Sequence, residues 1–170
     1  SSSKVCAELI SETFYKSYFK NRKIIINMFR SGNILGGGDW SEYRLIPDIM
    51  KSYLNNTKLI IRNPNHTRPW QHVFDVINAY MLIAKKTSFK KNNNFNTWNI
   101  GPVNEKKFNV RDIIKMVEKR LDKKIKIKVI KSNILEKKYL QLNVKKKNNK
   151  FKIKNKINTL EAINMTTEWY

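Results

Sequence analysis

Two arginines beside a proline-bearing turn are the residues of this sequence best suited to chemistry. Between positions 60 and 75 the chain reads Ile-Ile-Arg-Asn-Pro-Asn-His-Thr-Arg-Pro-Trp-Gln-His-Val-Phe-Asp, so Arg62 and Arg68 flank a stiff turn. A guanidinium is planar, charged and forked, and two of them on a rigid turn form a clamp for a diphosphate. Taken singly, they would be surface charges and Trp70 a core anchor. A second string, residues 29–40, reads Phe-Arg-Ser-Gly-Asn-Ile-Leu-Gly-Gly-Gly-Asp-Trp and holds four of the five glycines. Consecutive glycines permit tight, positive-φ backbone. They make no Walker loop, because no Gly-Lys-Ser/Thr follows, and their plainer role is a flexible turn after a strand. His66 and His72 have no cysteine or acidic cluster at ligand spacing, so no metal site is expected. Asp75 is expected to cap a helix. Lys4, behind three serines, is by itself an ordinary surface lysine.

These residues need elements to hold them. Residues 1–20 carry Val5, Leu9 and Ile10 at helical spacing, with Tyr15, Tyr18 and Phe19 beyond, and predict a helix. The apolar run 23–29 predicts a buried parallel strand, and 30–40 a loop. Residues 42–55 predict a helix, with Pro47 near enough to its start to be tolerated. A short strand is expected at 59–61, a turn at 63–69, extended chain at 70–74, and a helix from Asp75 to about Lys86. A polar loop at 90–94 precedes a strand at 97–100 that ends at Gly101-Pro102. Asn109 is expected to cap a helix over 110–121. Strict Lys/Ile alternation over 124–130 predicts a half-buried strand with one wet face. Residues 131–155 are polar and carry no clear period, and 158–170 predict a last helix. Alternation of strands, loops and helices argues α/β, with the motif-bearing residues after strand ends, where open α/β sheets place ligands.

Three strings together resemble one family. Ser1-Ser2-Ser3-Lys4 resembles the end of the Tyr-x-x-x-Lys pair of short-chain dehydrogenases/reductases, whose tyrosine would immediately precede Ser1. Arg30 to Trp40 resembles the R-x-G-N-x-x-G-G-G-D-W segment of CDP-glucose 4,6-dehydratases. Residues 62–73 resemble those enzymes' R-N-P-x-x-T-R-P-W-Q-H-V string. Asn99-Ile100-Gly101-Pro102 resembles a structural strand end of the same fold, and Thr167 to Tyr170 again resembles family members. At 131–160 the likeness thins: Asn143 stands where the family has Asp, and Lys- and Asn-rich sequence replaces its Leu-Gly-Trp-x-Pro.

The resemblance implies an α/β fold: the C-terminal part of a Rossmann-type extended short-chain dehydrogenase/reductase, with its last core strands and helices plus the small substrate-binding subdomain. Residues 1–30 would end the Rossmann core, and 31–170 would mix core strands with that subdomain. It implies NAD as cofactor and Lys4 as catalytic. Lys4, Ser31 and Asn33 would be cofactor-binding. Asn33, Arg44, Leu45, Ile46, Pro47, Arg62, Arg68, Glu136 and Tyr139 would bind a CDP-sugar. The implied reaction oxidises sugar C4 with NAD, loses water across C5 and C6, and returns hydride to C6, serving deoxysugar and cell-surface polysaccharide biosynthesis. The physical sense of the dyad is that a lysine four residues on lies on the tyrosine's helix face and lowers its pKa. With the glycine-rich dinucleotide loop, the tyrosine and the acid/base segment all outside the 170 residues, the expectation is a fragment inactive by itself. A homodimer through the first helix is implied as well.

Composition sets the outer bounds. At 170 residues and 41% hydrophobic content, the chain suffices for one domain with a core. It has no run long enough for a membrane span, and the one cysteine, Cys6, allows no internal disulfide. A cytoplasmic protein fits these features. The net charge of +22 suggests an anionic partner, yet lysine supplies most of it, and only seven arginines are present to read phosphates and base edges. No specific nucleic-acid binding and no membrane partner is expected. A different nucleotide-sugar epimerase or dehydratase, and a basic module that binds nucleic acid, are the alternatives.

Overall fold

The computed structural model describes residues 2–88, 94–103, 107–131 and 136–170. Most of the polar loop expected at 90–94, and part of the unassigned 131–155, lie outside the described residues. The chain runs as helix α1 (Ser2–Phe14), strands β1 (Ile26–Ser31) and β2 (Asn33–Leu35), helix α2 (Leu45–Leu54), β3 (Leu59–Ile61), β4 (Trp70–His72), α3 (Val73–Ser88), β5 (Phe95–Ile100), α4 (Val110–Leu121), β6 (Ile127–Val129), α5 (Lys145–Phe151) and α6 (Thr159–Trp169). The described strands pair two by two, all in parallel: β1 with β5, β2 with β4 and β3 with β6. Parallel pairs need helical crossovers, and each pair here is bridged by at least one helix.

One glycine explains how β1 hands over to β2. Ser31 ends the β1–β5 register opposite Ile100. Gly32 N–H then donates to the Ile100 carbonyl at 3.2 Å, and Asn33 N–H donates to that of Pro69 at 3.0 Å. The chain thus changes partner strand within two residues. A Cβ on Gly32 would lie 2.8 Å from Pro69 Cγ, so only glycine passes there. This three-residue strand lies inside the expected loop at 30–40, where period-2 alternation has too few residues to show.

The main core joins Ile46, Ile49 and Met50 of α2, Leu59 and Ile61 of β3, Trp70, Ile113, Ile114 and Val117 of α4, and Ala162 and Ile163 of α6. A smaller cluster gathers Ala79, Ile83, Trp98, Ile100, Phe151 and Ile153. Helices α4 and α6 start at capping boxes. The Asn109 side chain accepts from Asp112 N–H while the Asp112 carboxylate accepts from Asn109 N–H, and Asn158 and Glu161 do the same.

The helix expected over 1–20 is present, running as α1 and then π-helical over Tyr15–Phe19, with only Tyr15 buried among its described residues. Three expectations need correction. The first strand starts at Ile26 and is half-buried, not buried, with Arg30 exposed. In β6 all three residues are exposed. Of that alternating run only Ile125 reaches the core, because β6 lies at the outer edge of β3. Asp75 is no cap. It lies buried in the first turn of α3, and its carboxylate accepts from the backbone N–H groups of Lys156 and Ile157 at 2.9 and 3.0 Å.

Candidate functional site

An open cleft of ≈ 730 Å3 runs between α2, β3 and the turn before β4. Its walls include Asn33 of β2, Leu45, Asp48 and Lys51 of α2, Ile60 of β3 and Arg62 just after it, Asn63, His66 and Arg68 of the turn, and Glu136. The turn is held rigidly. His66 N–H donates to Asn63 carbonyl at 3.2 Å, and Val110 and Arg111 N–H donate to the His66 and Pro64 carbonyls at 3.1 and 3.0 Å. Trp70, buried beneath, donates its indole N–H to the Phe108 carbonyl at 3.1 Å.

Arg68 is the best-held cation of the cleft. Its Nη1 donates to the Thr67 and Lys137 carbonyls at 2.7 and 3.1 Å. Its Nη2 meets Glu136 and lies 3.3 Å from His66 Nδ1. Asn63 Nδ2 donates to the second Glu136 oxygen at 2.8 Å. Partial burial pushes the Glu136 carboxyl up, but hydrogen bonds from Arg68 and Asn63 and the nearby cationic charge outweigh it, so Glu136 titrates below its ordinary value. Arg62 differs: its guanidinium lies 5.8 Å from the centre of the Tyr43 ring and forms no ion pair with a described residue. The turn therefore carries one saturated and one available guanidinium.

The other sequence-selected residues divide sharply. Asn33 and Leu45 face the cleft. Ile46 and Pro47 are buried in α2, Ile46 as part of the core, and neither lines the cleft. Arg44 is exposed at the start of α2, with extended backbone and no side-chain cap. Tyr139 is largely exposed and lines a separate cavity of ≈ 60 Å3 on the far side of Arg68, with Thr67, Pro69 and Gly101. Ser31 ends β1 with Oγ 2.7 Å from Tyr80 Oη. Lys4 is exposed on α1, one turn before Glu8. Glu8 grips Arg30 of β1, its Oε2 accepting from Arg30 Nε at 2.7 Å, so the Lys4 face of α1 turns toward the end of β1.

Several cleft residues escaped the motifs. Lys51 lines the wall and donates from Nζ to the Trp40 carbonyl at 2.7 Å. Asp48 beside it is raised above its ordinary pKa by burial, against the opposing pull of Lys51. Tyr43 stands at the mouth, 81% exposed, with φ of 59°. Bulky side chains rarely adopt that left-handed backbone, which costs about 1–3 kcal/mol. The glycine loop behind is clasped by the end of α6. Trp169 lies over Gly37, where a Cβ would come within 2.5 Å of Trp169 Cβ. Tyr170 donates its hydroxyl to the Asp39 carbonyl and meets the Trp40 ring edge-on at 4.8 Å. The basic excess does not gather in the cleft, where Lys51, Arg62 and Arg68 face Glu42, Asp48 and Glu136. Among the described residues no group of His, Cys, Asp or Glu could hold a metal, and no helix is long and apolar enough to cross a membrane.

Residues 1–101 match the NAD dependent epimerase/dehydratase family. Over 123 residues the chain is 41% identical to the CDP-glucose 4,6-dehydratase of Salmonella typhimurium, a match covering 69% of this chain and 34% of that protein. Over 102 residues it is 30% identical to the dTDP-D-glucose 4,6-dehydratase of Dictyostelium discoideum, covering 59% of this chain and 21% of the relative. Among solved structures, the dTDP-glucose 4,6-dehydratase of Bacillus anthracis in complex with NAD superimposes with a TM-score of 0.80 at 23% identity, over 99% of this chain and 50% of that one. The likeness to that structure is one of fold. The chain spans about a third of the length of the Salmonella relative.

Proposed function

Because the chain belongs to the NAD-dependent epimerase/dehydratase family, we propose that it forms the substrate-binding half of a nucleotide-sugar 4,6-dehydratase, a hydro-lyase, acting on CDP-glucose. One observation carries this: Asn33, Leu45, Arg62, Arg68 and Glu136, chosen from separate strings of the sequence, line a single cleft. The 41% identity to a CDP-glucose 4,6-dehydratase favours the cytidine nucleotide over its relatives.

The residues present fit a bound NAD in part. Lys4 is exposed on the α1 face that meets the end of β1, and Asn33 lies on the cleft wall. The 170 residues contain no Gly-x-Gly-x-x-Gly string to cradle a pyrophosphate. Lys4 and Asn33 would hold the ribose and nicotinamide side, and Ser31 would first have to release Tyr80. When bound, NAD supplies the hydride acceptor for oxidation at sugar C4. The chain's own part is binding and orientation. Arg62 meets the diphosphate with its open guanidinium. Arg68 adds positive potential from a position fixed by two carbonyls. Asn33 offers an amide to the sugar hydroxyls, and the Lys4 ammonium stabilises a neighbouring phenolate. The apolar side chains of α1 would pair two copies of the whole protein, and a cytosolic location suits the exposed Cys6.

The test is turnover. The intact protein with NAD is expected to convert CDP-glucose to a 4-keto-6-deoxy product in preference to the dTDP- and GDP-sugars, while residues 1–170 alone convert none. Preference for another nucleotide would overturn the cytidine assignment. Turnover by residues 1–170 alone would overturn the division of labour.

A further inference from the structure

Helix α1 is tied to the sheet at two levels. At its C-terminal end, Tyr15 of the π-helical turn brings its ring to 5.8 Å from that of Phe95, the first residue of β5. Two turns earlier, half-buried Glu8 meets Arg30 near the far end of β1. That contact is a fork. Arg30 Nε donates to Glu8 Oε2 at 2.7 Å, and Nη2 donates to the other carboxylate oxygen. The third nitrogen, Nη1, donates to Asn99 Oδ1 at 3.4 Å. Asn99 lies opposite Arg30 in the β1–β5 register, and its own amide donates to the Asn143 carbonyl at 2.9 Å. Arg30 is therefore held from the strand side before it meets the helix. Most exposed ion pairs contribute little, but a bidentate pair within a network is the geometry that does.

With Tyr15 at the start of β5 and Glu8 at the end of β1, α1 runs opposite to the strands. Lys4 lies one further turn along, about 6 Å beyond Glu8. That turn carries it past Arg30 toward Ser31 and Asn33, at the strand ends where open α/β sheets bind ligands. We propose that Glu8 and Arg30 are positioning residues, whose fork sets the height and tilt of α1 and thereby the place of the Lys4 ammonium beside the neighbouring phenol. This rests on the role given to Lys4 above. Without the fork these two contacts leave a single pivot at Tyr15, roughly 16 Å from Lys4 along the helix. A tilt of about 4° there moves Lys4 by about 1 Å. Misplacement on the order of 1 Å can cost about a hundredfold in rate.

The experiment is the pH profile of turnover by the intact protein, with NAD and CDP-glucose both saturating. Loosening the fork draws the ammonium away from the phenol, whose pKa then rises toward its ordinary value of about 10. Glu8→Gln is expected to move the acid limb of kcat up by about one pH unit, which lowers kcat about tenfold on that limb. KM for CDP-glucose is expected to stay within about twofold. Arg30→Lys keeps the charge without the fork, and is expected to move the limb the same way by less. Glu12→Gln is the control: its partner is Lys16 of the same helix, at 2.8 Å, and the limb is expected to stay in place. Thermal melting is followed for each variant. A limb unmoved in Glu8→Gln and Arg30→Lys, whether or not the melting point falls, overturns the positioning role and leaves Lys4 where it was assigned. A limb unmoved in Lys4→Met overturns that assignment, and the positioning role with it.

Discussion

Helices α1 and α6 share amphipathic spacing and have opposite fates. On α6, Ala162, Ile163 and Thr166 are at most 1% exposed, packed against β4, β2 and α4. On α1, Val5, Leu9, Ile10 and Phe14 are each more than half exposed, and no side chain is buried. What attaches α1 is polar or singular: the Glu8 grip on Arg30, and Tyr15 in the turn that follows, its ring 5.8 Å from that of Phe95. Periodicity tells which face of a helix is apolar and is silent about what covers it. The difference is between an apolar face used inside the fold and one offered outward.

Core substitution separates the two most strongly. Ile113→Ala or Ile163→Ala, at positions 0% exposed, is expected to cost about 2–5 kcal/mol in denaturant unfolding. Leu9→Ala is expected to change stability by no more than about 0.5 kcal/mol. Equal losses would break the contrast, and would mean that the α1 face is covered in solution. A smaller effect belongs to the far end of α6. Gly37→Ala places a methyl against Trp169 and is expected to cost about 1–3 kcal/mol. Adding Trp169→Ala removes the clash, so the double variant should be more stable than the sum of the single ones.

The smallest effects are titrations, one of a buried group, His72, and one of an exposed group, Glu136. Burial holds His72 below its ordinary 6.5, with Asp75 pulling the other way. Its contribution is whole above pH 6.5 and is lost as pH falls from there toward the folded value. Glu136, lowered from 4.5, behaves alike at lower pH: its contribution is present above 4.5 and disappears as pH falls through the folded value. Unfolding midpoints measured against pH should therefore decline in two stages. Glu136→Gln is expected to flatten the lower stage alone. A lower stage that survives Glu136→Gln unchanged would remove the Arg68–Glu136 pair from the account.

Much of the fold was legible because its signals are local. Asn109 announces its helix through a side chain that reaches three residues ahead. The Arg62–Arg68 turn was legible because proline and two guanidinia in close succession constrain both shape and charge. What stayed hidden depends on partners distant in sequence. Nothing near Gly37 says that Trp169 will lie on it. Nothing in Lys145–Phe151, a run of Lys and Asn, says that it forms α5 or that Lys147 is 1% exposed with its amine 3.4 Å from the Gly101 carbonyl. Ile46 and Pro47 read as substrate-binding from the resemblance of their segment, and a helix that turns each successive residue by about 100° buries both side chains, Ile46 in the main core, while Leu45 faces the cleft. Tyr43 carried no motif, and its backbone angle has no counterpart in composition.

The clasp of Tyr170 on Asp39 spans 131 positions of the chain. A ribosome adding about 5–20 residues per second makes the glycine loop roughly 7–26 seconds before α6 exists to hold it. Throughout that interval Trp40 and the loop beneath it face water or a chaperone, and Lys51 has no fixed carbonyl to grip. The lip of the cleft is thus among the last parts of the molecule to acquire its neighbours.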